Sequence, residues 1–212
     1  MARPQGALDL RKRQAILDAA RKAFRELGYG VSMDQVAQGA GVAKQTVYNH
    51  FHSKSDLVHA LVDEVVSAFT ATLEHGAKDG PHAVLTEFGR SFLGRVLSPD
   101  VIGFHRLMAA EGAAFPELAA QAYAAGPKAS RRKLASYLAR EAREGRLAID
   151  DPERAAEIFF GMLIGQQHIK LLLQAGPRPS EDDTARHVAE CVRVFLAAYG
   201  DRAADGGPDT GS

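Results

Sequence analysis

The stretch GVAKQTVYNHF, residues 41–51, decides how this sequence is interpreted. It predicts a short helix whose outer face is formed by Lys44, Gln45, Thr46, Tyr48, Asn49 and His50. Only Val47 and Phe51 remain to anchor this helix in a core. A helix that serves packing alone seldom carries so many long hydrogen-bonding side chains in so few turns. The pattern therefore indicates a helix that contacts a polar partner.

The preceding residues complete a pair of short helices. Residues 32–40 read SMDQVAQGA, and Gly41 lies in the short connection to the second helix, where the lack of a Cβ is useful. The spacing of the apolar residues buries one side of each helix against the other and against the helix before them. These apolar residues are Val36, Ala37, Ala40, Val42, Val47 and Phe51. Two such helices form the helix-turn-helix pattern, in which the second helix enters the DNA major groove.

The exposed side chains of the second helix suit DNA chemically. Gln45 and Asn49 can each make paired hydrogen bonds to a base edge, and adenine is the favoured partner. Near Lys54, the start of the following helix offers free N–H groups for a phosphate. The predicted DNA-contacting residues are Ser32, Lys44, Gln45, Thr46, Tyr48, Asn49, His50 and Lys54. Contacts to phosphates should supply most of the affinity and make it fall with salt.

The charge distribution agrees with an anionic partner for the N-terminal part. The chain has 26 Lys and Arg and 26 Asp and Glu, so its net charge is zero. Residues 1–55, however, hold nine basic and four acidic residues, and residues 56–212 offset this surplus of five positive charges. A basic N-terminal segment followed by an acidic remainder favours an anionic partner, such as a nucleic acid, for the N-terminal segment. The alternative is a chance distribution of charge over solvated faces.

Helical periodicity extends along most of the 212-residue chain, and neither strand alternation nor hairpin signals occur. The sequence therefore predicts an all-α protein. Gly, Pro and capping residues divide it into about nine helices. Their approximate bounds are 10–27, 33–41, 43–51, 54–75, 81–99, 100–112, 116–145, 151–174 and 180–200, with a bend at 126–130. We expect a helix-turn-helix DNA-binding domain over 1–55, an effector-binding and dimerisation domain over 56–200, and a disordered tail over 201–212.

Several classes of protein are disfavoured by the composition. A single cysteine, Cys191, excludes an internal disulfide and a cysteine-based metal site. The N-terminal residues lack the apolar run of a signal peptide, and no stretch approaches the ~20 apolar residues of a membrane span. We expect a cytoplasmic protein without a cofactor or a metal site. The alternative is that His105 and His168 bind a ligand or a metal rather than pack in a core or interface. Catalytic motifs are also missing, so we expect no enzyme. An all-α hydrolase with dispersed residues and a helical adaptor for protein partners are the alternatives.

Residues 16–62 carry a resemblance to a known family; they read ILDAARKAFRELGYGVSMDQVAQGAGVAKQTVYNHFHSKSDLVHALV. This stretch resembles the DNA-binding domain of the TetR (tetracycline-repressor) family, and residues 46–57 are its most specific part. The resemblance implies a dimeric regulator in which a small molecule in the C-terminal domain changes the spacing of two DNA-reading heads. It also implies that six residues face DNA, with Lys44 near them: Gln45, Thr46, Tyr48, Asn49, His50 and Lys54. Repression is the commoner role in this family, and activation is the alternative.

One residue departs from the pattern of the family. Ala43 stands where a Ser or Thr often caps the recognition helix. Since Ala43 cannot cap, we expect a helix without a side-chain cap and one fewer contact to the DNA backbone. The C-terminal part, residues 115–163, resembles more loosely the multidrug and stress regulators of the same family.

Two further sets of residues are predicted in the C-terminal part. Gly161 and Gly165 would let a partner helix come close, so the last two predicted helices are the expected dimer pair, unless these glycines only relieve crowding within one subunit. The predicted interface residues are Phe160, Gly161, Gly165, Val188, Val192 and Phe195. A flat or aliphatic hydrophobic effector is expected among residues that would otherwise be plain core. These are Phe104, His105, Met108, Phe115, Tyr123, Phe159, Met162 and Gln166.

Overall fold

The computed structural model describes residues 5–75 and 80–200, so the predicted tail over 201–212 lies outside the described residues. The described residues contain eleven α-helices and no strand, which confirms the predicted all-α class. The helices are α1 Gln5–Leu27, α2 Met33–Ala40, α3 Lys44–His50, α4 Lys54–His75, α5 Gly80–Val96, α6 Pro99–Glu111, α7 Pro116–Tyr123, α8 Ala129–Arg143, α9 Pro152–Ile164, α10 Gln167–Leu172 and α11 Glu181–Tyr199. A 3₁₀ turn, Gly28–Gly30, follows α1, and a π-helical turn, Ala124–Lys128, joins α7 to α8. Within these ranges no helix is both long and apolar enough to span a bilayer.

The seventh predicted helix changes from α-helical to π-helical geometry near the residues where a bend is expected. Pro127 lies within the π-helical turn between α7 and α8, and it has no N–H to continue the α-helical ladder. One extra residue per turn accommodates the proline without ending the helix. The helical path therefore continues from Pro116 to Arg143 with a change of geometry at the middle.

The prediction of one helix over 151–174 is wrong. Gly165 has φ +48° and ψ −143°, a backbone conformation that ends α9 and is open essentially to glycine alone. A second, shorter helix, α10, begins at Gln167 and ends at Leu172. The apolar character of the segment persists across the break, so the periodicity of the sequence did not reveal it.

The described residues form two compact units. The first contains residues up to 65 together with 99–126, and thus α1–α3, the first part of α4, α6 and α7. Ile16, Leu17 and Ala20 of α1 are fully buried in its core. Two ion pairs join α1 to other helices of this unit. Arg21 is 2.8 Å from Glu64 of α4, and Arg25 is 3.0 Å from Asp100 of α6.

The second unit contains residues 66–98 and the described residues from 127 onward. Its core is rich in phenylalanine: Phe69, Phe88, Phe159 and Phe195 are among the largest fully buried side chains of the chain. Gly89 of α5 lets α11 approach closely, since an added Cβ would lie only 2.8 Å from Val188 Cγ1. Each unit thus has a core of its own.

Candidate nucleic-acid interface

The inner side of α3 is anchored as the sequence predicts. Val47 is fully buried and Phe51, which follows the helix, is only 4 % exposed. Both belong to the core that Ile16 and Leu17 of α1 and Val36 of α2 also form. Burial of these apolar side chains fixes α3 against α1 and α2, so the opposite side of the helix is left to face outward.

The connection between α2 and α3 depends on a glycine for its backbone conformation. Gly41 has φ +65° and ψ 31°, the left-handed region, and its N–H donates to the carbonyls of Ala37 and Gln38. A Cβ added at Gly41 would meet no atom within 4 Å in the part of the chain that the structure describes. Glycine is therefore favoured at this position by its positive φ. A lack of space for a side chain is not the reason. The predicted helix-turn-helix geometry is confirmed by this turn and by the packing of α2 and α3.

The two helices begin differently. Ser32 caps α2 in a reciprocal capping box, in which its hydroxyl accepts from the Gln35 N–H and the Gln35 side chain accepts from the Ser32 N–H. Ala43 precedes α3 in an extended conformation and makes no side-chain cap. The expectation of an uncapped α3 is thus confirmed. The Ser32 hydroxyl is occupied within the protein, and its contact with DNA stays a prediction.

Gln45 and Asn49 lie one turn apart on the outer side of α3, and both are exposed. The Gln45 side-chain amide donates a 3.1 Å hydrogen bond to Asn49 Oδ1. This bond orients the two amides as one unit and leaves the other donors and acceptors of both groups available. Amide groups in this arrangement match the donor and acceptor pattern of a purine edge in the major groove.

Lys44, at the first turn of α3, is paired across the turn with α2. Its ammonium is 2.9 Å from a carboxylate oxygen of Asp34, and it also lies 5.9 Å from the centre of the Tyr48 ring. The hydrogen bond and the negative charge of Asp34 raise the pKa of Lys44. Tyr48 is half-buried and packs with one side against the core of the first unit. Lys44 and Tyr48 thus share one side of α3, and Gln45 and Asn49 share the next.

Thr46 and His50 are less accessible than the sequence suggests. Thr46 is half-buried, and the His50 side chain is only 12 % exposed. His50 Nε2 lies 3.3 Å from a carboxylate oxygen of Asp9 on α1, which draws the imidazole toward the protein. The Arg13 guanidinium of the same helix lies 5.4 Å from the centre of the Phe51 ring. The N-terminal part of α1 therefore lies beside the end of α3.

The start of α4, where we expected free N–H groups for a phosphate, is partly occupied by hydrogen bonds within the protein. One carboxylate oxygen of Asp56 accepts hydrogen bonds from the N–H groups of His52 and Ser53, at 2.9 and 3.2 Å. The Lys54 ammonium points inward, donates a 2.8 Å hydrogen bond to the Tyr29 carbonyl and lies 4.4 Å from the centre of the Tyr29 ring. The expectation of free N–H groups is therefore wrong at these two residues. That Lys54 binds DNA stays a prediction.

Two residues of this region were missed in the sequence, Asp34 and Asp56. Asp56 could have been found, because Ser53 and Asp56 have the spacing of a capping box, and Ser53 Oγ does accept from the Asp56 N–H at 3.1 Å. Asp34 carries no comparable signal. It is ten residues from Lys44 in sequence, and only the packing of α2 on α3 brings the two side chains together.

The predicted effector residues are divided between the two units. Phe104, His105, Met108, Phe115 and Tyr123 belong to the first, and Phe159, Met162 and Gln166 belong to the second. Phe104 and Met108 pack against the core of the first unit, whereas Tyr123 is 55 % exposed. Phe159 is fully buried, with its ring centre 4.9 Å from that of Phe195. Their common role in binding an effector stays a prediction.

The predicted dimer residues differ in accessibility. Gly161 and Gly165 are exposed, and Phe160 is half-buried. The other three residues, Val188, Val192 and Phe195, are at most 1 % exposed and face the core of the second unit. The accessible side of α9 near Gly161 thus fits a contact with a second subunit better than these three side chains do. Their assignment to an interface stays a prediction.

Comparison with known proteins gives two family matches that together span most of the chain. Residues 16–61 match the family described as bacterial regulatory proteins, tetR family. Residues 83–201 match the family described as the C-terminal domain of AefR-like transcriptional repressors. The first match contains the whole helix-turn-helix, and the second covers more than half of the chain.

Individual proteins that are similar to this chain are also described as regulators. The HTH-type transcriptional regulator RutR of Escherichia coli K12 is 29 % identical over 159 residues, which cover 74 % of this chain and 73 % of RutR. A TetR-family transcriptional regulator from Mesorhizobium loti MAFF303099 superposes with a TM-score of 0.74 at 28 % identity, over 91 % of this chain and 98 % of that one. The flavonoid-responsive regulator FrrA superposes with a TM-score of 0.68 at 29 % identity, over 91 % and 98 % of the two chains.

Proposed function

Because this chain belongs to the TetR family of bacterial transcriptional regulators, we propose that it is a repressor that binds a palindromic operator as a homodimer. We further propose that a small hydrophobic effector releases it from DNA. The observation that carries the proposal is the two-sided character of α3. Val47 is fully buried, whereas Gln45 and Asn49 are exposed and hydrogen-bonded to each other.

The chemistry of this surface supports reading of bases as well as binding of phosphates. Two neutral amides on adjacent turns carry both donors and acceptors, which a base edge requires and a phosphate does not. Basic residues of α1, among them Arg11 and Lys12, are exposed and can supply phosphate contacts. The repressor role is supported by the match of residues 83–201 to the C-terminal domain of AefR-like repressors.

Selection of bound duplexes from a random DNA pool tests the proposal. A two-fold dimer presents two copies of α3 to half-sites about 34–36 Å apart or at a related spacing, so a near-palindrome should be enriched. Enrichment of a single, asymmetric site would contradict the dimer. If no sequence is enriched from the pool, the proposal that this protein is a sequence-specific DNA-binding regulator is contradicted.

We propose that the subunits meet at the exposed side of α9. An added Cβ at Gly161 meets no atom of the described residues within 4 Å, so this position has room for a neighbouring helix. Gly161→Leu should therefore fold normally and weaken the dimer, because the new side chain occupies the space of the partner. Gly94→Leu is a matched control at another helical glycine of the second unit with no neighbour within 4 Å. Sedimentation equilibrium measures the dimer dissociation constants of the two variants. An unchanged dissociation constant in Gly161→Leu would contradict the exposed side of α9 as the subunit interface.

A flat aromatic effector is proposed from the similarity to FrrA, which is described as flavonoid-responsive. Apolar and aromatic side chains with a few polar groups, such as Phe104, His105 and Met108, suit such a ligand. Flavonoids should raise the melting temperature of the protein and release it from the selected operator. If a panel of flavonoids and other flat hydrophobic compounds does neither, the effector class is wrong.

A further inference from the structure

The helix-turn-helix contains one basic and one acidic side chain, and the two are paired. Between residues 31 and 53, Lys44 is the single Lys or Arg and Asp34 is the single Asp or Glu. The Lys44 ammonium lies 2.9 Å from Asp34 Oδ1 and donates a 3.0 Å hydrogen bond to Asp34 Oδ2. The segment that would enter the groove thus gains no net charge from its lysine and its acid.

An exposed carboxylate is unusual on a surface that binds a polyanion, and its ion pair with Lys44 adds little to the stability of the fold. The side chains of Asp34 and Lys44 are each 60 % exposed, and ion pairs this exposed contribute little to folding. An acid in the first turn favours the helix dipole. However, Ser32 and Gln35 already cap α2 with a complete capping box.

We propose that Asp34 is a specificity-determining residue of the DNA interface, because it holds the Lys44 ammonium away from phosphates. This inference rests on the proposed function. If Lys44 moved to a phosphate, the Asp34 carboxylate would be left unpaired in the negative field of the duplex, which offsets the gain. On non-specific DNA, phosphates are the main groups that α3 can bind. The cognate operator also offers matching base edges to Gln45 and Asn49.

The geometry around Lys44 supports a stable pair. The ammonium is held between the carboxylate of α2 and the ring of Tyr48, one turn along α3, so the side chain lies along the protein surface. The hydrogen bond to Asp34 and the negative charge of its carboxylate also raise the pKa of Lys44 above its usual value, which favours the charged lysine.

Asp34→Asn tests this role, because it keeps the shape of the side chain and removes the charge that holds Lys44. The probes are a duplex of scrambled sequence and the operator duplex selected from the random pool. One more phosphate contact should steepen the slope of log K against log salt by about 0.9 and tighten binding to the scrambled duplex about three- to tenfold at low salt. Operator binding should tighten less, so the ratio of the two affinities falls.

Three variants make the result specific to the pair. Asp18→Asn removes an acid of similar exposure that pairs with Arg21 on α1, and it should leave the salt slope unchanged. Asp34→Glu keeps the charge and should behave as the wild type. Lys44→Gln added to Asp34→Asn should abolish the gain.

An unchanged slope and affinity ratio in Asp34→Asn would overturn the inference, and so would an equal change in Asp18→Asn. Failure of the proposed function looks different. In that case the wild-type protein itself would bind the selected and the scrambled duplex equally well.

Discussion

Four polar side chains of α3 already have partners within the chain. Gln45 is bonded to Asn49, Lys44 is paired with Asp34, and His50 lies against Asp9. The Gln45–Asn49 bond is exposed, so exchanging part of it for a base edge in the groove costs little. The inward contacts of Lys54 are of another kind, because they tie the start of α4 to the turn after α1.

Lys54 should contribute to stability as well as to any contact with DNA. Lys54→Ala removes a charge-assisted hydrogen bond to the Tyr29 carbonyl and a cation–π contact with the Tyr29 ring. We expect it to lower the free energy of unfolding by about 1–3 kcal/mol. Urea denaturation measures the loss. Lys22→Ala, at an exposed lysine of α1, is the control and should change stability by less than about 0.5 kcal/mol. Equal stabilities of the two variants would contradict a structural role for Lys54.

At the scale of elements, the ends of the helices were easier to predict than their interruptions. Ser32 and Ser180 cap α2 and α11 close to the predicted starts of these helices, because a serine before an apolar periodic segment can accept from the free N–H groups of the first turn. The break at Gly165 was missed, because glycine occurs within helices as well as at their ends. The 3₁₀ turn over 28–30 is not evident in the sequence either, because the glycines there indicate only that the helix ends.

The start of α3 offers room for stabilisation. Ala43 has φ −66° and ψ 146°, the extended conformation that a capping residue adopts, but it has no side-chain acceptor. Ala43→Ser should raise the free energy of unfolding by about 0.5–2 kcal/mol, and Ser32→Ala should lower it by a similar amount. Thermal and chemical denaturation of both variants tests this. A destabilised Ala43→Ser would mean that the hydroxyl cannot reach the N–H groups of α3.

The break between α9 and α10 should depend on its glycine. Gly165→Ala forces a Cβ into a backbone conformation that suits glycine, and we expect a loss of about 1–3 kcal/mol. Gly94→Ala, in the regular helix α5 and with no described atom within 4 Å of an added Cβ, should instead stabilise the helix by about 0.5–1 kcal/mol. Denaturation at one protein concentration compares them. If both variants lose stability equally, the backbone of Gly165 is not the reason for its glycine.

For the whole molecule, the sequence predicted the class of fold and the family, but not every contact of the interface. The run over 46–57 and the alternation of buried and exposed residues in α3 were sufficient to locate the DNA-reading segment. The pairing of Lys44 with Asp34 and the inward position of Lys54 could not be predicted, because they join residues far apart in sequence. The division into domains at residues 55 and 200 stays a prediction.

The distribution of charge over the chain predicts how binding depends on salt. The surplus of five positive charges in residues 1–55 should make operator affinity fall steeply as salt rises. Binding titrations at several salt concentrations measure the slope. A slope near zero would contradict binding through contacts with DNA phosphates and would favour an adaptor that binds proteins.

The most direct measurement of the central claim compares wild type with Asn49→Ala on the selected operator and on every single-base variant of one half-site. If α3 reads bases through its amides, Asn49→Ala should lose about 1–3 kcal/mol on the operator and lose discrimination at one base position, with its profile elsewhere unchanged. A variant that weakens binding equally to all sequences, or that keeps the wild-type profile at every position, would contradict the claim that the exposed side of α3 reads DNA.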